Sequence, residues 1–374
     1  MLVDRAHKLL TMAAESNTAD DPVRQAAQDF IDAFRGADAG DVAAALGILG
    51  KAYALPHTDH LPLVLAVAGF LVEQGADATP LAAPVLEFLQ QVTPLAVDFH
   101  DACVAQLAIG ANDQDDGDDG NDAEDGDDPE AAFRAIVGRL HLKMPEAAMA
   151  WGALEARYAP IIAVLAASPS VRAQSRSLAL SMERLREYNG GASWLVPMLM
   201  VLDDEPILVI EPDTGLGLVG RMSGVSANFQ LHVLLMDVFP RSDSRSGPLI
   251  SPKAAAIVRG NVAEQQDDAP ITAQWNLHAW TALQATGRLS RDHDPSSSSH
   301  WIWNEGVPAD IPAFDGHRVV VLGPPSYPRS FFAQRDFRGL RADIDVERLL
   351  SPDEVAAWVG RFSQSDPNGK KPER

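Results

Sequence analysis

Four of the seven tryptophans fall between residues 275 and 303, with histidines and acids interleaved among them. Trp275, Trp280, Trp301 and Trp303 are accompanied by His278, His293, His300 and His317, and by Asp292, Asp294, Glu305 and Asp310. Flat apolar walls with a few convergent polar groups are what a small-ligand pocket requires. In an extended segment Trp275, Leu277 and Ala279 share one face, and Asn276, His278 and Trp280 the other. Trp301 and Trp303 likewise share a face, with His300 and Ile302 opposite. Two readings compete. One is a tryptophan-rich core whose histidines satisfy hydrogen bonds at its rim. The other is a pocket with Trp275, His278, Trp280, His300, Trp301, Trp303 and Glu305 as candidate ligand-binding residues. None of the His and Asp spacings is a metal-ligand signature, so no metal and no cofactor is expected.

Other motifs point to structure. Gly215, Gly217 and Gly220 fit G-x-G-x-x-G, which in a dinucleotide fold follows a strand directly and opens a helix. Here Pro212-Asp213-Thr214 intervenes and Arg221-Met222-Ser223-Gly224 is a poor helix, so a hairpin with glycines in its second strand explains the same residues. Ser223 has the wrong spacing for a nucleophile elbow. Cys103 sits in an apolar helical stretch and reads as a buried structural thiol. His57 and His60 lack the i, i+4 spacing of a zinc protease helix and read as a turn and helix cap. Tyr327-Pro328-Arg329-Ser330-Phe331-Phe332 combines arginine with aromatics, which suits an interface, a phosphate contact or a packed loop.

The elements that must position these residues divide by composition. The chain has 374 residues, 30 Lys+Arg against 52 Asp+Glu, and a net charge of -22. Nearly all of that excess falls in the first 130 residues, and residues 131–374 are close to neutral. The balance argues against nonspecific nucleic-acid binding and against anionic membrane surfaces. One Cys excludes an internal disulfide framework and is compatible with a reducing compartment. The longest apolar run, Leu61 to Val72, is shorter than the roughly 20 residues a membrane span needs. The N-terminus has no signal-peptide pattern. A cytoplasmic protein without nucleic-acid or membrane partners is the expectation.

Residues 1–110 read as an all-helical domain, a bundle or a helical-repeat-like stack, with helices from Leu2, Asp21, Asp41, Asp59, Thr79 and Thr93. Residues 111–129 are an acidic Asp/Gly-rich stretch that cannot repay its ordering entropy, and read as a disordered linker; weak cation binding is its alternative role. Residues 130–362 read as an α+β domain, with helices over 130–190 and sheet and helices over 194–362. The apolar run Leu195–Leu202, Ile207–Ile210 and Leu216–Met222 suggest a three-stranded meander. Ser351-Pro352 with Glu354 is a capping box opening a last helix with Val355, Trp358, Val359 and Phe362 on one stripe. Residues 363–374 read as a disordered tail.

The fold class expected is therefore α+β: helical N-terminal domain, acidic linker, and a mixed domain with a mainly antiparallel sheet. No catalytic signature stands out. The leading functional expectation is a non-enzymatic protein-interaction or regulatory protein with a protein partner of unknown identity. The alternative is an enzyme or small-ligand binder with a pocket in region 275–317.

Overall fold

Helical spacing of apolar residues governs the first half of the computed structural model, which describes residues 1–15, 20–55, 58–114, 129–240, 249–263, 269–283, 286–289 and 300–364. Two compact units divide between Leu199 and Met200. In the first, α1 (Leu2–Ala14) buries Leu2, Ala6, Leu9 and Ala13, one residue per turn. Next come α2 (Asp20–Phe34) and α3 (Ala39–Leu49), whose N-cap Asp38 accepts from the Asp41 amide at 2.8 Å. After a 3-10 turn over Gly50–Ala54 come α4 (Leu61–Glu73) and α5 (Thr79–Gln114). The two helices expected on either side of Thr93-Pro94 are one 36-residue helix with Pro84 and Pro94 inside it. A proline removes one helical hydrogen bond, and here burial of Leu89, Ala96, Phe99 and Cys103 around Pro94 outweighs that loss.

α6 (Pro129–Leu140), α7 (Pro145–Ala167), α8 (Pro169–Ser175), α9 (Leu178–Glu183) and α10 (Gly190–Met200) complete the unit, and α5 packs against α6, α7, α8 and α9. Residues 130–190 therefore lie within the first unit; the acidic stretch 111–129, expected to be a linker, is almost wholly outside the described residues. The apolar run from Leu195 is helix, not strand. Asn189 caps it, its Oδ1 accepting from the Ala192 amide at 2.9 Å. A short run buried on all sides has no periodicity to separate the two forms.

Helix α10 approaches α7 closely because Gly191 has no side chain. A Cβ there would lie 2.3 Å from the Leu154 carbonyl oxygen, a backbone atom that no rotamer change can move. Gly191→Ala should lower stability by about 3 kcal/mol, read as a shift in the urea midpoint. A loss below about 1 kcal/mol would show that the helices are not held at this spacing.

The second unit is built on a mixed sheet. β1 (Glu205–Glu211) and β2 (Leu216–Ser223) form an antiparallel hairpin. They are followed by α11 (Asn228–Val238), α12 (Pro252–Arg259), β3 (Ile271–Thr272), β4 (Asn276–His278), β5 (Ala313–Phe314), β6 (His317–Gly323), β7 (Ser330–Phe331), β8 (Asp343–Leu350) and α13 (Pro352–Ser363). The strand order is β4-β6-β1-β2-β8, with β5 also on β6; β1 and β6 run parallel and the other pairs antiparallel. The chain is thus broadly α+β with a mixed sheet. The hairpin reading of the glycines fits: Gly215, at φ +70°, closes the turn, and Gly220 lies where a Cβ would meet the Asp345 carbonyl oxygen of β8 at 2.3 Å.

Both faces of the sheet are covered, so β1 and β6 read as unbroken apolar runs. Ile207, Val209, Val320 and Leu322 face a layer with α11 and α12; Leu208, Ile210, Val319 and Val321 face the α13 side. The capping box is present: the Ser351 hydroxyl accepts from the Glu354 amide, and Glu354 accepts from the Ser351 amide at 2.9 Å. Among the described residues no helix is long and apolar enough to cross a membrane.

Candidate functional site

Strand β4 is the last strand on its side of the sheet, and its outer edge is closed by residues 300–302. The Ala279 amide donates to the His300 carbonyl at 3.1 Å and the Ile302 amide to the Leu277 carbonyl at 3.0 Å. This pairing holds Trp301 over the His278 ring, with centroids 4.6 Å apart. The next turn is fixed by the start of α11, whose first amides have no partner inside the helix. The Asn228 amide donates to the Gly306 carbonyl and the Phe229 amide to the Asn304 carbonyl, both at 2.9 Å. The Asn228 side chain donates to the Trp303 carbonyl at 2.8 Å.

The opposite wall is the loop after β6, Pro324 to Arg329. Asn276, buried in β4, ties it down: its Nδ2 donates to Ser326 Oγ at 2.8 Å and its Oδ1 accepts from Arg329 Nη2 at 2.9 Å. Nη2 also donates to the Trp275 carbonyl at 3.1 Å. Between the walls lies a cleft of about 410 Å³, with Leu277 and Ile302 at its base and Trp301, Trp303, Ser326, Tyr327 and Arg329 around it. The Trp301 and Trp303 rings stand 6.4 Å apart, and Trp303 is 58% exposed. Arg329 has no acidic partner among the described residues, and its Nε is buried without an acceptor.

Two buried histidines sit close to Arg329. His278 is pushed down to about 4, first by burial, then by the Arg329 charge and by His300. His232 of α11 is fully buried against Trp275 and Phe331. It is also pushed down to about 4, by burial and then by Arg329, against a weaker opposing effect of the Asn304 side chain. Neither of its ring nitrogens has a hydrogen bond of ordinary geometry. Both rings are therefore neutral at pH 7.

The seven residues singled out from sequence are distributed unevenly. Trp301 and Trp303 line the cleft, and His278 packs against Trp301 with the two rings tilted by 42°. Trp275 lies in the core on the α11 side, its Nε1 donating to Glu211 at 2.9 Å. Trp280 belongs to the opposite layer, packed on Phe314 at 5.1 Å and on Phe362. His300 contributes its carbonyl to the β4 edge, and Glu305 is exposed in the turn outside the lining. Asp292, His293, Asp294 and His57 lie outside the described residues. Asn276, Ser326, Tyr327, Arg329 and His232 were not among the candidates; the one available signal was the arginine among aromatics at 327–332. Cys103 is buried, which pushes its thiol up to about 11. Among the described residues no cluster of His, Cys, Asp or Glu could hold a metal ion.

No family model matches the chain, no curated protein compared with it matches, and no solved structure matches it.

Proposed function

We propose that the second unit is a small-molecule binding module, and that the chain acts by binding rather than by catalysis. The observation that carries this reading is the cleft between β4 and the 324–329 loop: about 410 Å³, within the range of ligand pockets, with Trp303 and Tyr327 exposed and Trp301 half-buried on its walls. Exposed indole on a concave surface is costly to leave in water unless something covers it. The polar lining supports binding more than chemistry. Ser326 Oγ accepts from Asn276, and no carboxylate or histidine is among the described residues that line the cleft. The reading of a protein partner rests on the sequence features alone.

The test is a thermal-shift and calorimetric screen of the full chain with planar aromatic acids, alcohols and amines at millimolar concentration. A ligand confined to the folded state stabilises it by about 2.7 kcal/mol at 100 times its Kd. Trp303→Ala removes one wall at an exposed position. It should weaken any hit by about tenfold, as expected for the loss of one aromatic stacking partner, without lowering the melting temperature of the free protein. A screen in which no compound moves the melting point, or hits that bind Trp303→Ala unchanged, would remove the cleft as the binding site.

A further inference from the structure

We propose that the ligand is a flat monocarboxylic acid, with its carboxylate on Arg329 and its ring system against Trp301, Trp303 and Tyr327. This rests on the cleft being a binding site and adds the class of molecule.

Among the described residues Arg329 is the one charged residue in the lining, and no carboxylate among them neutralises it. Its guanidinium is not a loose surface cation. Nη2 is held by the Trp275 carbonyl and Asn276 Oδ1, and Asn276 is itself 3% exposed with Nδ2 committed to Ser326. The fork is thereby oriented before anything binds, and Nη1 takes no part in these bonds. A planar guanidinium held in place suits a planar carboxylate. The remaining polar side-chain groups of the described lining are the hydroxyls of Ser326 and Tyr327 and the indole N–H groups of Trp301 and Trp303. Ser326 Oγ accepts from Asn276 and keeps its own proton to donate. A site whose described lining offers donors and no acidic group repels cations and receives an acceptor.

The surroundings carry the same sign. The Arg329 charge helps to keep both His278 and His232 neutral, as a cation lacking a counter-ion would. Within the lining itself, Arg329 Nε is buried without a hydrogen-bond partner. Among the described lining residues a single guanidinium, with no lysine and no second arginine, matches one negative charge. A phosphate, with two charges and three acceptor oxygens, would leave most of its acceptors unmet.

The apolar remainder sets the shape. Leu277 and Ile302 form the base, and the Trp301 and Trp303 planes are inclined by 31°. A ring system can lie against them while its acid group reaches Arg329.

Calorimetric titration of the full chain with 2-naphthoate, 2-naphthalenemethanol and 2-naphthyl phosphate separates the possibilities. The acid should bind at least about tenfold more tightly than the alcohol, the increment of a charge-assisted hydrogen bond, and the phosphate no more tightly than the acid. Arg329→Met should bring acid and alcohol within about twofold of each other. Arg329→Lys should keep part of the preference, and serves if Arg329→Met does not fold. Trp303→Ala should weaken acid and alcohol alike and leave their ratio unchanged. Equal binding of acid and alcohol to the natural chain overturns the carboxylate assignment and leaves the cleft reading standing. A tenfold preference for the phosphate also overturns it. If none of the three binds, both readings fall together.

Discussion

Gly224→Ala is expected to unfold the second unit, costing more than about 4 kcal/mol. Gly224 has φ +67°, a region where a side chain costs about 1–2 kcal/mol. The larger cost is steric. A Cβ at this position would lie 1.7 Å from the Arg341 carbonyl oxygen and 2.8 Å from its carbonyl carbon. Both are backbone atoms just ahead of β8, so relief requires the strand to move away from β2. Gly224 is also fixed from its own side, its amide donating to the Leu202 carbonyl at 2.9 Å. The displaced element is the edge of the sheet on which the α11 layer rests, and α11 in turn fixes the turn that carries Trp303. A loss of this size is comparable to the whole stability of an ordinary domain. Gly316 supplies the control: its φ is +79°, yet a Cβ there meets nothing within 4 Å. Gly316→Ala should therefore cost only the conformational part, about 1 kcal/mol. Circular dichroism and urea titration of the two variants compare them directly. Equal losses would show that the approach of Arg341 to Gly224 does not constrain the fold.

Local patterns carried much of this architecture and little of the site. Leu208 to Ile210 and Val319 to Leu322 identify central strands, because a sheet covered on both faces needs apolar residues at every position. Ser351-Pro352 and Glu354 identify the start of α13 by local hydrogen bonding alone. Leu195 to Met200 misleads because an apolar run with no polar face fits a buried helix as well as a strand. β8 escapes notice for the opposite reason: as the strand at the far edge, it carries Asp343, Asp345, Glu347 and Arg348, charges that suit an unpaired edge but read as loop. Trp301 and Trp303 could be nominated from their type and spacing. Arg329 could not be joined to them, because the link is the β4–β6 pairing of Asn276 with Gly323, which sets residue 276 beside the 324–329 loop, whose first residue is 48 positions along the chain. His232 lies on a helix whose buried positions are mostly apolar, and nothing in its neighbours' spacing marks it as the residue beside Arg329.

Those two histidines should make the second unit acid-sensitive in a window set by their own values. Each is pushed down to about 4 in the folded chain from an ordinary value of 6.5. Below pH 6.5 the unfolded chain takes up a proton on each, while the folded chain does not until pH approaches 4. The unfolded state binds more protons throughout that interval, so stability falls as pH falls from 6.5 towards 4 and is unaffected by these groups above it. At about 1.4 kcal/mol per unit, each histidine contributes about 2 kcal/mol of loss by pH 5. The groups responsible are specific. His232 faces Trp275, Phe331, Asn304 and Arg329; His278 faces Trp301, His300 and Arg329. Among the described residues no acid contributes to the shift of either histidine. His232→Leu separates this from the general titration of carboxylates, because leucine removes one of the two protonation sites and also removes two buried ring nitrogens that make no hydrogen bond of ordinary geometry. At pH 7.5 the variant should be at least as stable as the natural chain, since it exchanges an unsatisfied buried polar group for an apolar one. Between pH 7.5 and 5 it should lose about 2 kcal/mol less than the natural chain, read from urea titrations at the two pH values. Parallel losses in the two proteins would mean that His232 takes up its proton as readily folded as unfolded, and the positive, dry environment assigned to Arg329 and its neighbours would have to be abandoned.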